Sequence, residues 1–257
     1  MKKYLITMGG TEVGWSRHND EGVFRDYQRE AERLVESAKF FEFETIIYDN
    51  EFILNLPYYN EHKDVLTKTS FGFSHKPICL FETLKLMRDG DIVLFVDSNH
   101  VIAKDPKVFI EGAIRNGVLV RDHIWNEYKN KHWTRRDTFV NMGLDESKYW
   151  DSLQMQGNIV GACKSEMSTR FVTEWKDCCL TYSIMFGEGK YENFEGFREH
   201  RHDQSIYSLL AAKYNIPYLN RTQNIWTEGI IPEKSMITPE HPVDNSYRKK
   251  ADRKDIR

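Results

Sequence analysis

The chain has 257 residues, 36 of them Lys or Arg and 39 Asp or Glu, for a net charge of -3 at pH 7. With that balance nothing global points to nucleic acid, and 40% hydrophobic with 29% charged residues fits a globular chain and argues against a disordered one. No apolar run reaches the length of a membrane span, and Met1-Lys2-Lys3 leads straight into a strand pattern without a signal-peptide core, so a cytoplasmic protein is expected.

In chain order, Tyr4 to Met8 reads as a buried strand closed by Gly9-Gly10, and Tyr27 to Phe40 has helical periodicity through Ala31, Leu34, Val35 and Ala38. Glu44 to Tyr48 reads as a second strand, ending in Asp49-Asn50. This βαβ opening predicts a parallel sheet with crossover helices. Pro77 suits the first turn of a helix, and Ile78 to Met87 carries the apolar stripe of one, broken by Asp89-Gly90. Just before it, Ser70 to Pro77 (SFGFSHKP) places Lys76 where an ammonium can meet phosphate or simply stay solvated.

Next comes the apolar strand Ile92 to Val96, with Asp97 and Asn99 where it stops. Hard oxygen ligands at the carboxyl edge of a buried parallel strand suit a divalent cation and a diphosphate, because that edge is where open α/β sheets bind ligands. The plain alternative is a capping turn. Downstream, Pro106 to Asn116 reads as a short helix, Gly117 to Arg121 and Asn158 to Cys163 as strands, and Ser165 to Tyr182 as an amphipathic helix. Asn126 to Met142 and Gly187 to Arg201 have the irregular composition of binding loops. The segment Gln154 to Ala162 puts amides, Gln156 among them, just before a central strand. Asp203 to Tyr214 is a helix whose entry, His200 to Ser205, packs imidazoles, a carboxylate and a carboxamide together; such a group can hold a cation, take a proton or merely cap. Past Pro217 the pattern decays. The sequence shows no Cys-x-x-Cys spacing, so Cys79, Cys163, Cys178 and Cys179 read as reduced thiols.

With these residues placed, the chain resembles the glycosyltransferases of the GT-A fold, in particular the glycogenin and bacterial galactosyltransferase-like branch. The likeness rests on Phe71 to Pro77 (FGFSHKP), on Gly90, Asp91 and Asp97, on Trp133 to Asp137 (WTRRD), and on His202, Asp203 and Gln204, in that order along residues 4–224. It departs from the family's Asp-x-Asp pattern at Asn99, a weaker ligand than a carboxylate. The resemblance implies an α/β fold of GT-A type, with a mixed, mostly parallel sheet flanked by helices over residues 1–225. Residues 226–257 are then an extension, partly frayed. It further implies a nucleoside-diphosphate sugar, UDP-based, as donor and a glycan or other hydroxyl as acceptor, with Mn²⁺ or Mg²⁺ as cofactor. Thr7, Gly9, Gly10, Asp49 and Gln156 are expected at the donor. Asp97, Asn99 and His202 are expected on the metal, and Lys76, Asp203 and Gln204 at the reacting centre, with retention favoured over inversion. The rivals are a catalytically silent nucleotide-sugar or carbohydrate binder and, less favoured, a nucleotidyltransferase or metal phosphohydrolase.

Overall fold

The apolar run Ile92–Val96 is the middle of the sheet: all five residues are buried, with Ile92, Leu94 and Val96 on one face and Val93 and Phe95 on the other. A strand covered on both faces has no polar side to show, so its sequence is a continuous apolar run. The computed structural model describes residues 1–10, 27–68, 73–122, 128–220 and 229–232.

In chain order the first half contains β1 (Lys3–Met8), α1 (Tyr27–Ala38), β2 (Glu44–Tyr48), α2 (Asn50–Leu54), α3 (Lys63–Leu66), α4 (His75–Leu86), β3 (Ile92–Val96), β4 (His100–Ile102) and α5 (Lys107–Asn116). The second contains β5 (Val118–Leu119), α6 (Asn130–Trp133), α7 (Arg136–Asn141), α8 (Ser147–Trp150), β6 (Ile159–Cys163), α9 (Glu166–Cys179), α10 (Tyr182–Met185), α11 (Asp203–Lys213) and β7 (Ile230–Pro232). The five-stranded sheet has the order β2-β1-β3-β6-β5. The first three strands are mutually parallel and β6 is antiparallel to both its neighbours, so four of the five point the same way. This is the mixed, mostly parallel α/β sheet expected.

Helices α4, α9 and α11 cover one face, where Ile78, Trp175 and Ile206 meet Val93 and Phe95; α1 and α5 cover the other through Leu34 and Phe109. Gly161 in β6 is required by close approach: a Cβ there would stand 2.5 Å from the Val93 carbonyl oxygen. Strands β2 and β3 have the bounds expected. Helix α4 starts at His75, two residues before Pro77, because the first turn needs no N–H from proline.

Two differences from the sequence reading stand out. Residues Ile230–Pro232, in the extension where the sequence pattern decays and only part was expected to fray, pair with β4 as a small second sheet, and Ile230 and Ile231 are buried. The expected boundary at 225 and 226, and the mixed-charge terminus, lie outside the described residues. The expected loop over Asn126 to Met142 instead folds from Asn130 onward into α6 and α7. Among the described residues no helix is long and apolar enough to cross a membrane.

Candidate functional site

Three chain segments meet at the carboxyl edge of β3. Asp97 follows the strand directly, Lys76 lies in the first turn of α4, and Asp203 opens α11. The Lys76 Nζ is 3.0 Å from Asp97 Oδ1 and 3.9 Å from Asp203 Oδ2, and it donates to the Gly157 carbonyl oxygen at 2.8 Å. The ammonium is only 13% exposed and Asp203 8%, whereas Asp97 is 33% exposed and is the member of the group that solvent reaches. Helices α4 and α11 both direct their N-termini, with their partial positive charge, to this spot.

The electrostatics single out Asp203. Burial pushes its carboxyl up to about 6, against the pull of Lys76 and with a further push from the like charge of Asp97. Its Oδ2 has no hydrogen-bond partner among the described residues. The backbone around it is fixed: Trp175 Nε1 donates to the Asp203 carbonyl at 3.0 Å, and Gln204 Nε2 donates to the Met155 carbonyl at 2.7 Å.

Asp97 is held by a network absent from the sequence reading. Its N–H donates to the Asn158 carbonyl at 2.9 Å, and the His100 ring closes the turn beneath it. Nδ1 of His100 faces two acceptors, the Asp97 carbonyl at 3.2 Å and Asn99 Oδ1 at 2.8 Å, so it carries the proton, and Nε2 accepts from Asn158 Nδ2 at 3.1 Å. Burial brings His100 down to about 4, so the ring is neutral. The available signal in the sequence was an imidazole, His100, set directly between Asn99 and the apolar pair Val101-Ile102.

The other expected residues divide. Thr7 is fully buried and its hydroxyl donates to the Val96 carbonyl at 2.7 Å, which ties β1 to β3 behind Asp97. Gly9 and Gly10 lie at the carboxyl end of β1, where Gly10 N–H donates to Gln28 Oε1 at 3.3 Å. Asp49 is exposed at the end of β2 and caps α2, accepting from Phe52 N–H at 2.8 Å through one oxygen. Gln156 is buried with its Oε1 unpartnered among the described residues. The His202 ring stacks on that of Phe73, with centroids 4.3 Å apart. His200 bridges Met185 O and Arg135 N–H, and burial brings it down to about 3.

Side chains of the Trp133 to Asp137 segment pack against the rest of the chain. Trp133 stacks on Tyr128 at 4.9 Å with Arg198 and Arg201 over its ring, Arg136 pairs with Asp145 at 3.3 Å, and Asp137 is buried.

As a metal centre the site is sparse. Among the described residues no three His, Cys, Asp or Glu side chains stand together around one point. Asn99 Oδ1 is already engaged by His100. The donor set fits a cation shared with a bound phosphate, which takes one or two carboxylates plus phosphate oxygens and waters. Two carboxylates against one ammonium leave the site short of positive charge, and Asp203 Oδ2 is an unsatisfied acceptor within it.

Among solved structures, mouse xyloside xylosyltransferase 1 in its apo form is similar with a TM-score of 0.43 at 10% identity, over 87% of this chain and 86% of that one. The apo-form glycosyltransferase GlyE of Streptococcus pneumoniae TIGR4 is similar with a TM-score of 0.39 at 11% identity, over 87% of this chain and 46% of that one, so this chain spans about half of GlyE. At these scores neither likeness carries an activity across. No protein-family model matches the chain, and no curated protein sequence matches it.

Proposed function

We propose that this chain is a glycosyltransferase of GT-A type that moves a sugar from a nucleoside-diphosphate sugar, UDP-based, to a hydroxyl acceptor. The observation that carries this reading is the Lys76 ammonium held between Asp97 and Asp203 at the carboxyl edge of β3. A desolvated cation poised between two carboxylates can change partners when a phosphate arrives, and it acts most strongly where water is scarce.

In this reading Gly9, Gly10 and Asp49, at the ends of β1 and β2, receive the base and ribose. Lys76 turns to the diphosphate and stabilises it as it leaves. A divalent cation, Mn²⁺ or Mg²⁺, supplies further neutralisation of the diphosphate when bound, and Asp97 is the residue that holds it. Asp203 fixes Lys76, and Gln204, oriented by its bond to the Met155 carbonyl, stands beside the anomeric carbon. The bond from the anomeric carbon to the diphosphate oxygen breaks with its electron pair on that oxygen. A new bond forms to the acceptor oxygen, and the acceptor proton leaves on the diphosphate. Both events on one face give retention. Four free cysteines, two of them fully buried, suit a reducing cytoplasmic setting.

Incubation with UDP-, GDP- and TDP-sugars and Mn²⁺, with released nucleotide as the readout, tests the reading. Release from a UDP-sugar that disappears in Asp97→Ala is expected. Release of inorganic phosphate or pyrophosphate instead would favour a phosphohydrolase or nucleotidyltransferase, and tight binding without turnover a silent binder. Proton NMR of the first-formed product decides the stereochemistry: a configuration opposite to the donor's removes the retaining route.

A further inference from the structure

Two residues beside the site adopt a backbone conformation that costs energy. Phe73 has φ 62° and His202 has φ 51°, and they are two of the four non-glycine residues with positive φ among those described. For a bulky aromatic residue that region is an outlier, and such strain persists only where the surroundings enforce it. The two strained residues touch each other: their rings stack at 4.3 Å with planes 26° apart.

Their placement is specific. Phe73 precedes α4, three residues before Lys76, and His202 precedes Asp203 at the start of α11. Each strained turn therefore delivers a ring next to a charged member of the cluster. Behind His202 the ring of Phe186 stands at 6.0 Å and that of His200 at 5.1 Å. His200 is clamped by Met185 O and Arg135 N–H, which holds the whole entry to α11 in place. Phe73, His202 and Phe186 are each half-buried, so the group forms a ledge at the edge of the site and is not part of the core.

We propose that the Phe73–His202 pair is the floor of the acceptor subsite and that the acceptor is a saccharide, whose ring stacks its C–H face on these aromatics. This rests on the glycosyl-transfer reading above. A pyranose presents a row of C–H groups on one face, carrying slight positive charge, and the negative face of an aromatic ring attracts them. Hydroxyls around the rim then stay free to meet polar groups, the usual division of labour in a small-ligand site. A lipid or peptide hydroxyl offers no such flat face.

The competing occupant, the nucleotide base, fits the topology less well. Base and ribose are assigned to the ends of β1 and β2, on one side of β3, whereas Gln204, two residues beyond His202, is bound to Met155 in the segment leading into β6, on the other side.

The test uses the full-length chain with Mn²⁺, with UDP for the binding measurements and the UDP-sugar it turns over for the kinetic ones, and a panel of p-nitrophenyl glycosides with glycerol as the non-saccharide control. Saturation-transfer NMR reads acceptor binding, calorimetry reads UDP binding, and nucleotide release reads donor hydrolysis by water. Phe73→Leu, which keeps the bulk and loses the π face, is expected to raise the KM for the best glycoside about tenfold or more, while UDP affinity stays within about twofold. Phe73→Tyr retains the ring and is expected to behave like the parent, which controls for a folding defect. Unchanged glycoside binding in Phe73→Leu overturns the proposal, as does a parent that accepts glycerol as well as any glycoside. A loss of UDP affinity in Phe73→Leu reassigns the ledge to the base and also overturns it. If the parent itself binds no nucleotide, the failure belongs to the donor assignment on which the proposal rests.

Discussion

Two buried aspartates of this chain sit in opposite electrostatic surroundings. Asp137, 1% exposed, accepts from the backbone N–H groups of Glu188 and Lys190, each at 3.0 Å. Burial alone would raise its carboxyl, yet those donors hold it below the usual range. Asp203 is also buried, but its countercharge is the Lys76 side chain at 3.9 Å, and its carboxyl is pushed up to about 6. Fixed backbone donors lock a charge and cannot be lent to a ligand. A lysine suspended between two carboxylates can be, and that separates a structural carboxylate from one poised for chemistry.

The comparison breaks most sharply at Lys76. Lys76→Met is expected to lower kcat by about 10²–10³-fold, the usual effect of removing one donor to a developing charge, while thermal stability falls little because Asp203 takes up a proton. Steady-state kinetics beside a melting curve check both halves. Asp137→Ala should show the reverse: the backbone N–H groups of Glu188 and Lys190 lose their acceptor, which costs about 1–3 kcal/mol in urea denaturation, with little effect per folded molecule on donor binding.

Asp203→Asn sharpens the contrast through pH. The native carboxyl keeps its proton up to about pH 6, whereas 3.8 is its unperturbed value, so between those values the folded chain binds more protons than the unfolded one. Stability therefore falls as pH rises through that window, by an amount on the order of 1–3 kcal/mol, and Asp203→Asn should flatten the slope. Activity should run the other way, rising with pH through about 6 as Asp203 ionises and secures Lys76. A parent whose stability and activity rise together across this window would contradict the assignment.

The smallest change expected is at Asn99. Asn99→Asp keeps an acceptor for His100 and adds a carboxylate beside Asp97, so Mn²⁺ should bind about tenfold tighter, with stability altered by less than ~1 kcal/mol. Titration of Mn²⁺ by electron paramagnetic resonance checks this.

Much of the fold was legible because buried strands and amphipathic helices leave period and composition in the sequence. The run Ile92–Val96 and the helix from Asp203 are examples. Strands β4 and β7, three residues each, are too short to show a period, and their pairing is made by tertiary contact alone. At the site, Lys76, Asp97 and Asp203 were each visible, since charged residues at element ends are conspicuous. Their meeting was expected only through the family resemblance of their motifs, because element periods do not show how α4 and α11 pack over the sheet. The Thr7 hydroxyl, turned inward to Val96, and the His100 network beneath Asp97 were hidden for the same reason: side-chain direction at a strand end follows from its neighbours.

The most direct measurement is a crystal structure of the chain grown with UDP and Mn²⁺. The account predicts phosphate oxygens within hydrogen-bond distance of Lys76 Nζ at the carboxyl edge of β3, with the cation on Asp97. A nucleotide lodged elsewhere, with the Lys76–Asp97 contact undisturbed, would contradict it.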